Sequence, residues 1–84
     1  MKQTFYFELI VDVPVEDLVN ILKKVSYKYP EIVVSDISAE GFEFQISSET
    51  IAEKYSNGDQ ILAIIIMQGL FIDDVENELK NLVQ

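Results

Sequence analysis

Four carboxylates lie close together near the end of the chain: Asp73, Asp74, Glu76 and Glu78. Carboxylates can bind a cation, transfer protons or present negative charge to a basic protein. A cation site is disfavoured, because acids on one exposed helix face cannot surround an ion as a loop does, and no Asp-x-Asp-x-Asp-Gly pattern is present. We interpret the four acids as a surface that binds a basic partner. The alternative is a solvated helix face whose first-turn acids favour the helix dipole.

A second pair of acids, Glu8 and Asp12, shares one face of a predicted strand. Four residues along a strand separate them by roughly 13 Å, which is beyond the spacing used by paired carboxylates in glycoside hydrolysis. The lysines at positions 23, 24 and 28 fall at the end of a predicted helix, where the helix dipole accounts for them. Neither group indicates catalysis.

The residue types that the chain lacks exclude several classes of activity. It has no Cys, His or Trp, and its six basic residues are all lysines. Without Cys and His there is no thiolate nucleophile, no usual general base at neutral pH and no common zinc ligand. Without Arg there is no bidentate clamp for phosphate. We therefore expect a protein that is not an enzyme and that uses no metal or cofactor.

The charge balance bears on the partners. Fifteen acids against six lysines give a formal net charge of -9, which opposes direct binding to nucleic acid or to an anionic membrane surface. The longest apolar run, residues 61–67, is far shorter than the ~20 residues needed to span a bilayer. We expect a cytoplasmic protein whose partner is a larger protein with a basic surface.

Hydrophobic periodicity predicts the elements that position these residues. Residues 4–13 alternate as a half-buried strand, and Pro14 precedes an amphipathic helix that ends near Pro30. Segments 31–38 and 42–47 read as an antiparallel hairpin. The run 61–67 is apolar on both faces and predicts a further strand, Gly69 then breaks the pattern, and an amphipathic helix closes the chain.

Residues 48–59 allow two interpretations. A short helix with Gly58 as its C-terminal stop gives the order β-α-β-β-α-β plus a C-terminal helix. A hairpin at Asn57-Gly58 gives β-α-β-β-β-α instead. We favour the first, and thus a single α+β domain over residues 1–84 with a four-stranded, mainly antiparallel sheet of ferredoxin-like type and helices on one face.

The outer sheet face is a second candidate site. If the phenylalanines of the first strand meet the helices, then Tyr6, Glu8 and Ile10 point the other way. A strand at 61–67 would add an aliphatic row to that face, and large exposed apolar patches mark interfaces. We expect a second copy or a partner to cover the face, with a homodimer as the simplest form. The alternative is an extra helix that wraps round it.

Together these features favour a non-catalytic, acidic protein-interaction module. Its sharper form is a small inhibitor, of the kind used by phages or mobile elements, that occludes a basic surface of a nucleic-acid-handling or defence protein. The alternative is a small-molecule-binding regulatory domain that acts as a homodimer, with Tyr6 or Tyr55 in contact with the ligand.

Overall fold

The computed structural model describes the backbone of residues 1–83 and the side chains of residues 1–82. Within that range the chain forms three strands and three helices. They are β1 (Lys2–Glu8), α1 (Val15–Ser26), β2 (Ile32–Ser38), β3 (Gly41–Ser47), α2 (Ile51–Ser56) and α3 (Gln60–Val83). The strands form one antiparallel sheet in the order β1-β3-β2, so β1 and β2 are its edges. The predicted α+β class is confirmed.

One face of the sheet carries the core. Phe5 and Phe7 of β1 lie opposite Phe44 and Phe42 of β3, and their rings stack at centroid distances of 5.2 and 5.1 Å. The helices cover this face, as predicted. The opposite face stays open, where Tyr6 is 57% exposed.

Phe71 joins α3 to both the sheet and α1. It is fully buried, and its ring centroid lies 5.0 Å from that of Phe44 and 5.9 Å from that of Tyr29, which follows α1. α3 therefore packs along β3 and beside α1 at once.

The first helix and the hairpin are confirmed with small changes of boundary. In α1, Leu18, Leu22 and Val25 are buried at helical spacing, and acids in its first turn and lysines in its last complement the dipole. β2 and β3 pair antiparallel through a two-residue turn. β1 ends at Glu8, earlier than the predicted 13, because the chain leaves the sheet toward α1.

Residues 48–59 adopt the helical alternative, and the hairpin at Asn57-Gly58 is wrong. Asn57 has φ 52° and Gly58 has φ 93°, and the Gly58 N–H donates to the Ala52 carbonyl at 2.9 Å. This left-handed pair closes the C-terminus of α2. An Asn-Gly pair favours positive φ in either setting, so its presence alone does not choose between them.

The predicted fourth strand is wrong, since residues 61–67 form the first turns of α3, and the described chain has three strands rather than a four-stranded ferredoxin-like sheet. The Asp59 carboxylate accepts from the Leu62 N–H at 3.0 Å and caps the helix. Ala63 and Met67 are buried at a spacing that continues to Phe71 and beyond. Isoleucines on the outward side hide this 3.6-residue period in the sequence.

Although α3 has 24 residues, neither it nor another helix in the described range combines the length and hydropathy required to cross a membrane.

Candidate functional site

An apolar groove lies between the end of β1 and the C-terminal half of α3. Its cavity volume is about 370 Å³. The residues that line it are Phe7, Glu8, Leu9, Ile10, Val11, Glu76, Leu79 and Lys80. The volume falls within the roughly 300–1,000 Å³ of typical ligand-binding clefts.

The segment that follows β1 forms one wall. The Leu9 N–H donates to the Glu40 carbonyl at 2.8 Å, so the chain stays beside β3 for one residue after the strand ends. Val13 is buried and fixes the position of the chain just before α1 begins. Between these two fixed points Ile10 is pushed outward and is 95% exposed. The fold gains nothing from an isoleucine there, which leaves this side chain free to contact a partner.

The other wall comes from α3. Glu76, Leu79 and Lys80 are three and four residues apart and share a helix face, with Leu79 buried and the two charged side chains exposed. Glu8 adds a second carboxylate from the β1 side. Two carboxylates and the Lys80 ammonium lie at the edge of an apolar floor, and this arrangement suits an apolar side chain flanked mainly by basic residues.

The four acids of the predicted partner surface are divided between two sides of α3. Glu78 accepts from the Lys24 ammonium, with Nζ and Oε1 2.8 Å apart, and Asp74 lies 3.6 Å from Lys28 Nζ. Both acids face α1 and join the two helices. Asp73 and Glu76 are exposed. The structure thus leaves two of the four facing solvent on the free side of the helix.

Asp74 is held by a third group. The Tyr29 hydroxyl donates to Asp74 Oδ2 at 2.6 Å. Burial raises the pKa of Tyr29 to about 12, and the hydrogen bond to the Asp74 carboxylate acts in the same direction. Asp74 is therefore part of the packing between α1 and α3.

The open face of the sheet is mainly polar, although Val33 lies on it beside Gln45 and is 62% exposed, and this corrects the aliphatic row predicted there. Gln45 donates to Thr4 Oγ1 at 3.2 Å, and Tyr6 lies opposite Glu43. Glu43 faces Asp36, and the hydrogen bond and repulsion between their carboxyl groups raise the pKa of Glu43. The row is missing because residues 61–67 belong to α3.

Three residues from the two predicted sites come together at the groove: Glu8, Ile10 and Glu76. Tyr6 lies on the open sheet face and Asp73 on the exposed side of α3. Sequence reasoning missed the apolar lining, because the groove exists only when α3 runs the length of the sheet.

No group of three or more metal-ligating side chains occurs among the residues that the structure describes. Comparison of the chain with protein-family models, with curated proteins and with solved structures finds no match.

Proposed function

We propose that the chain is a non-catalytic, acidic protein-interaction module that binds a basic segment of a larger protein through the groove. The observation that carries this proposal is the meeting of a 95% exposed Ile10, an apolar cavity and the carboxylates of Glu8 and Glu76 at one place. The net charge of -9 speeds the approach of a basic partner over long range. In this proposal the module acts in the cytoplasm as an inhibitor, and occludes a basic surface of a nucleic-acid-handling or defence protein.

The division of the acids on α3 supports the groove over the whole acidic helix as the contact surface. Asp74 already pairs with Lys28, just after α1, and Glu78 pairs with Lys24 of α1. A partner would have to break those pairs to reach the two acids. Glu76 lines the groove, and Asp73 adds charge one turn away. We therefore assign direct contact to Glu76 and a steering role to Asp73.

The chain offers a matched pair of variants to test this. Ile10 and Tyr27 are large apolar side chains that are 95% and 91% exposed, so a glutamate at either position leaves the core untouched. Only Ile10 lies at the groove. Immobilised wild type, Ile10→Glu and Tyr27→Glu would be compared in affinity capture from nuclease-treated lysate of the source organism or its host, with bound proteins eluted in salt steps.

We expect one basic protein to be retained by wild type and by Tyr27→Glu, to leave at moderate salt, and to be lost with Ile10→Glu. Moderate salt is expected because screened, exposed charge pairs contribute to the complex. Equal retention by Ile10→Glu would show that the groove is not the contact surface. Retention of no specific protein by wild type would contradict the interaction module itself.

The cavity also supports a second candidate, a small-molecule-binding regulatory domain. A volume of about 370 Å³ with a mainly apolar lining is large enough to hold a small ligand. A ligand at a hundred times its dissociation constant would stabilise the fold by about 2.7 kcal/mol. A thermal-shift screen tests this: a hit should stabilise wild type and Tyr27→Glu but not Ile10→Glu, and should be insensitive to salt.

A further inference from the structure

The two edges of the sheet differ in how they are protected. β2 carries an irregularity between Ser35 and Ser38, where Asp36 takes a left-handed φ of 51°. β1 pairs with β3 in unbroken register over all seven of its residues. Its sequence has no proline, and it is rich in residues that favour strands. Natural proteins block edges with bulges, prolines, short strands or charged side chains. The charges of β1, Lys2 and Glu8, stand only at its two ends, so the regular stretch between them is a surface for another strand.

The backbone groups that β1 offers can be assigned from its ends. The Met1 carbonyl accepts from the Ser48 N–H at 2.9 Å, and the Leu9 N–H donates to Glu40, both on the β3 side. Polar backbone groups alternate in direction along an antiparallel strand. The odd-numbered residues therefore bond to β3, and the even-numbered residues of β1 turn their N–H and C=O groups to the free edge.

We propose that β1 pairs antiparallel with β1 of a second copy, with Phe5 opposite Phe5 on the two-fold axis, to form a six-stranded sheet. In this register the paired residue numbers sum to ten. Lys2 lies opposite Glu8 of the second copy, and Thr4 lies opposite Tyr6. These are even-numbered pairs, as the free backbone groups require, and they pair all seven residues of each strand.

Charge complementarity selects both the occupant and the register. Lys2 and Glu8 are exposed on the same sheet face, and neither has an ion-pair partner among the described residues. In the dimer each Lys2 meets Glu8 of the other copy, so the two-fold axis creates two identical ion pairs. Opposite charges directly across a strand pair are favourable. A shift of two residues either way pairs only five residues and separates both ion pairs.

The helices also cover the inner face of β1 only in part. α1 contacts β2 and α3 contacts β3, while Phe5 and Phe7 stay half-buried. The side of α3 opposite α1 carries a run of residues within an arc of about 60° at 100° per residue. They are Ile61, Ile65, Ile72, Glu76 and Leu79. The last two line the groove beside β1, so the run faces the β1 side, and Ile61 and Ile65 remain 62% and 56% exposed.

A second copy would complete this layer of helices. The two α3 helices would run antiparallel on either side of the axis, with the paired β1 strands below them. The isoleucines of each would then face the phenylalanines and the helix of the other. This contact uses the edge of β1 and the flank of α3, so it shares Glu8 and Glu76 with the groove proposed for the partner.

Charge reversal tests the pairing without touching the core. Lys2→Glu alone, or Glu8→Lys alone, places like charges opposite each other at two sites, and should weaken self-association by about ten- to a hundredfold. Lys23→Glu changes the net charge as Lys2→Glu does, but lies on the exposed side of α1, and should weaken self-association only by the added long-range repulsion, far less than Lys2→Glu does. Sedimentation velocity over a concentration series measures each.

The decisive mixture combines the two single variants. The Lys2→Glu variant has glutamate at positions 2 and 8, and the Glu8→Lys variant has lysine at both. In a heterodimer of the two, every glutamate would face a lysine, so an equimolar mixture should associate at least as tightly as the wild-type homodimer. Failure of the mixture to associate would overturn the register. A wild-type chain that is monomeric at about 1 mM would overturn the proposed dimer. A strand of a different protein would then be the remaining candidate to pair with the edge of β1.

Discussion

Replacing Gly69 with alanine tests whether residues 60–83 form one continuous helix. Gly69 lies in the interior of α3 and is exposed, and apart from its chain neighbours and the surrounding helix backbone no heavy atom lies within 4 Å of the position that an alanine Cβ would take. Glycine in an exposed helix interior costs about 0.8–1.0 kcal/mol relative to alanine, because it loses more backbone freedom on folding. Since nothing opposes the added methyl group, Gly69→Ala should raise the free energy of unfolding by that amount. In a domain of this size the melting temperature should rise by about 4–8 °C per kcal/mol.

The sign of the effect discriminates between two structures. If residues 61–67 were a strand and Gly69 a turn with positive φ, alanine would destabilise the fold instead. Gly58→Ala is the matched control, because Gly58 ends α2 at φ 93°, and alanine there should cost about 1–2 kcal/mol. Urea unfolding followed by far-UV circular dichroism, at one protein concentration, gives both values. A Gly69→Ala variant that is less stable than wild type would refute the continuous helix.

Two further substitutions probe the contacts that hold the helices in place. Tyr29→Phe should remove a pH dependence: the folded-state pKa of Tyr29 is raised from 10.0 to about 12, so its contribution is complete below pH 10 and is lost as the pH rises to 12. Unfolding free energies from pH 9 to 12 should fall more steeply for wild type than for Tyr29→Phe, and parallel curves would contradict the assignment. Ser48→Ala should cost about 0.5–1.5 kcal/mol in urea unfolding, because the buried Ser48 Oγ lies 2.8 Å from Gln60 Oε1 and 3.1 Å from the Met1 carbonyl oxygen. An unchanged midpoint would show that this contact between the chain start and α3 adds nothing.

The elements predicted correctly are those whose signals are local. Pro14, the acids after it and the buried spacing of α1 all lie within one segment, and the hairpin needs only two alternating runs and a short link. The strand prediction for residues 61–67 is wrong because an apolar run without a polar face fits a buried strand and a helix equally. The deciding features were Asp59 as a cap before the run and the continuation of buried positions to Phe71.

The groove depends on α3, whose first turns the sequence predicts wrongly as a strand. The sequence predicts Glu8, Ile10 and Glu76 as site residues from charge and sheet face, and they meet only because α3 runs from the start of β1 past its end. The ion pairs of Asp74 and Glu78 are equally hidden in the sequence, since their partners, Lys28 and Lys24, lie about fifty residues earlier in the chain. Helical spacing predicts which acids share a face, but not which face a neighbouring helix will cover.

The two proposed contacts are linked through β1. In the register that pairs Lys2 with Glu8, Met1 of the second copy lies opposite Leu9, on the inner side of the sheet and beside the groove. Met1 is about half exposed in the single chain, so this side chain is available to extend the apolar wall. Glu8 belongs to both contacts, since it lines the groove and would also meet Lys2 of the second copy, so partner binding and dimerisation would change each other's affinity by the same factor. A chain with a net charge of -9 repels its own copies at long range. A basic segment bound at each groove would reduce that repulsion, and this long-range effect favours the pairing of β1.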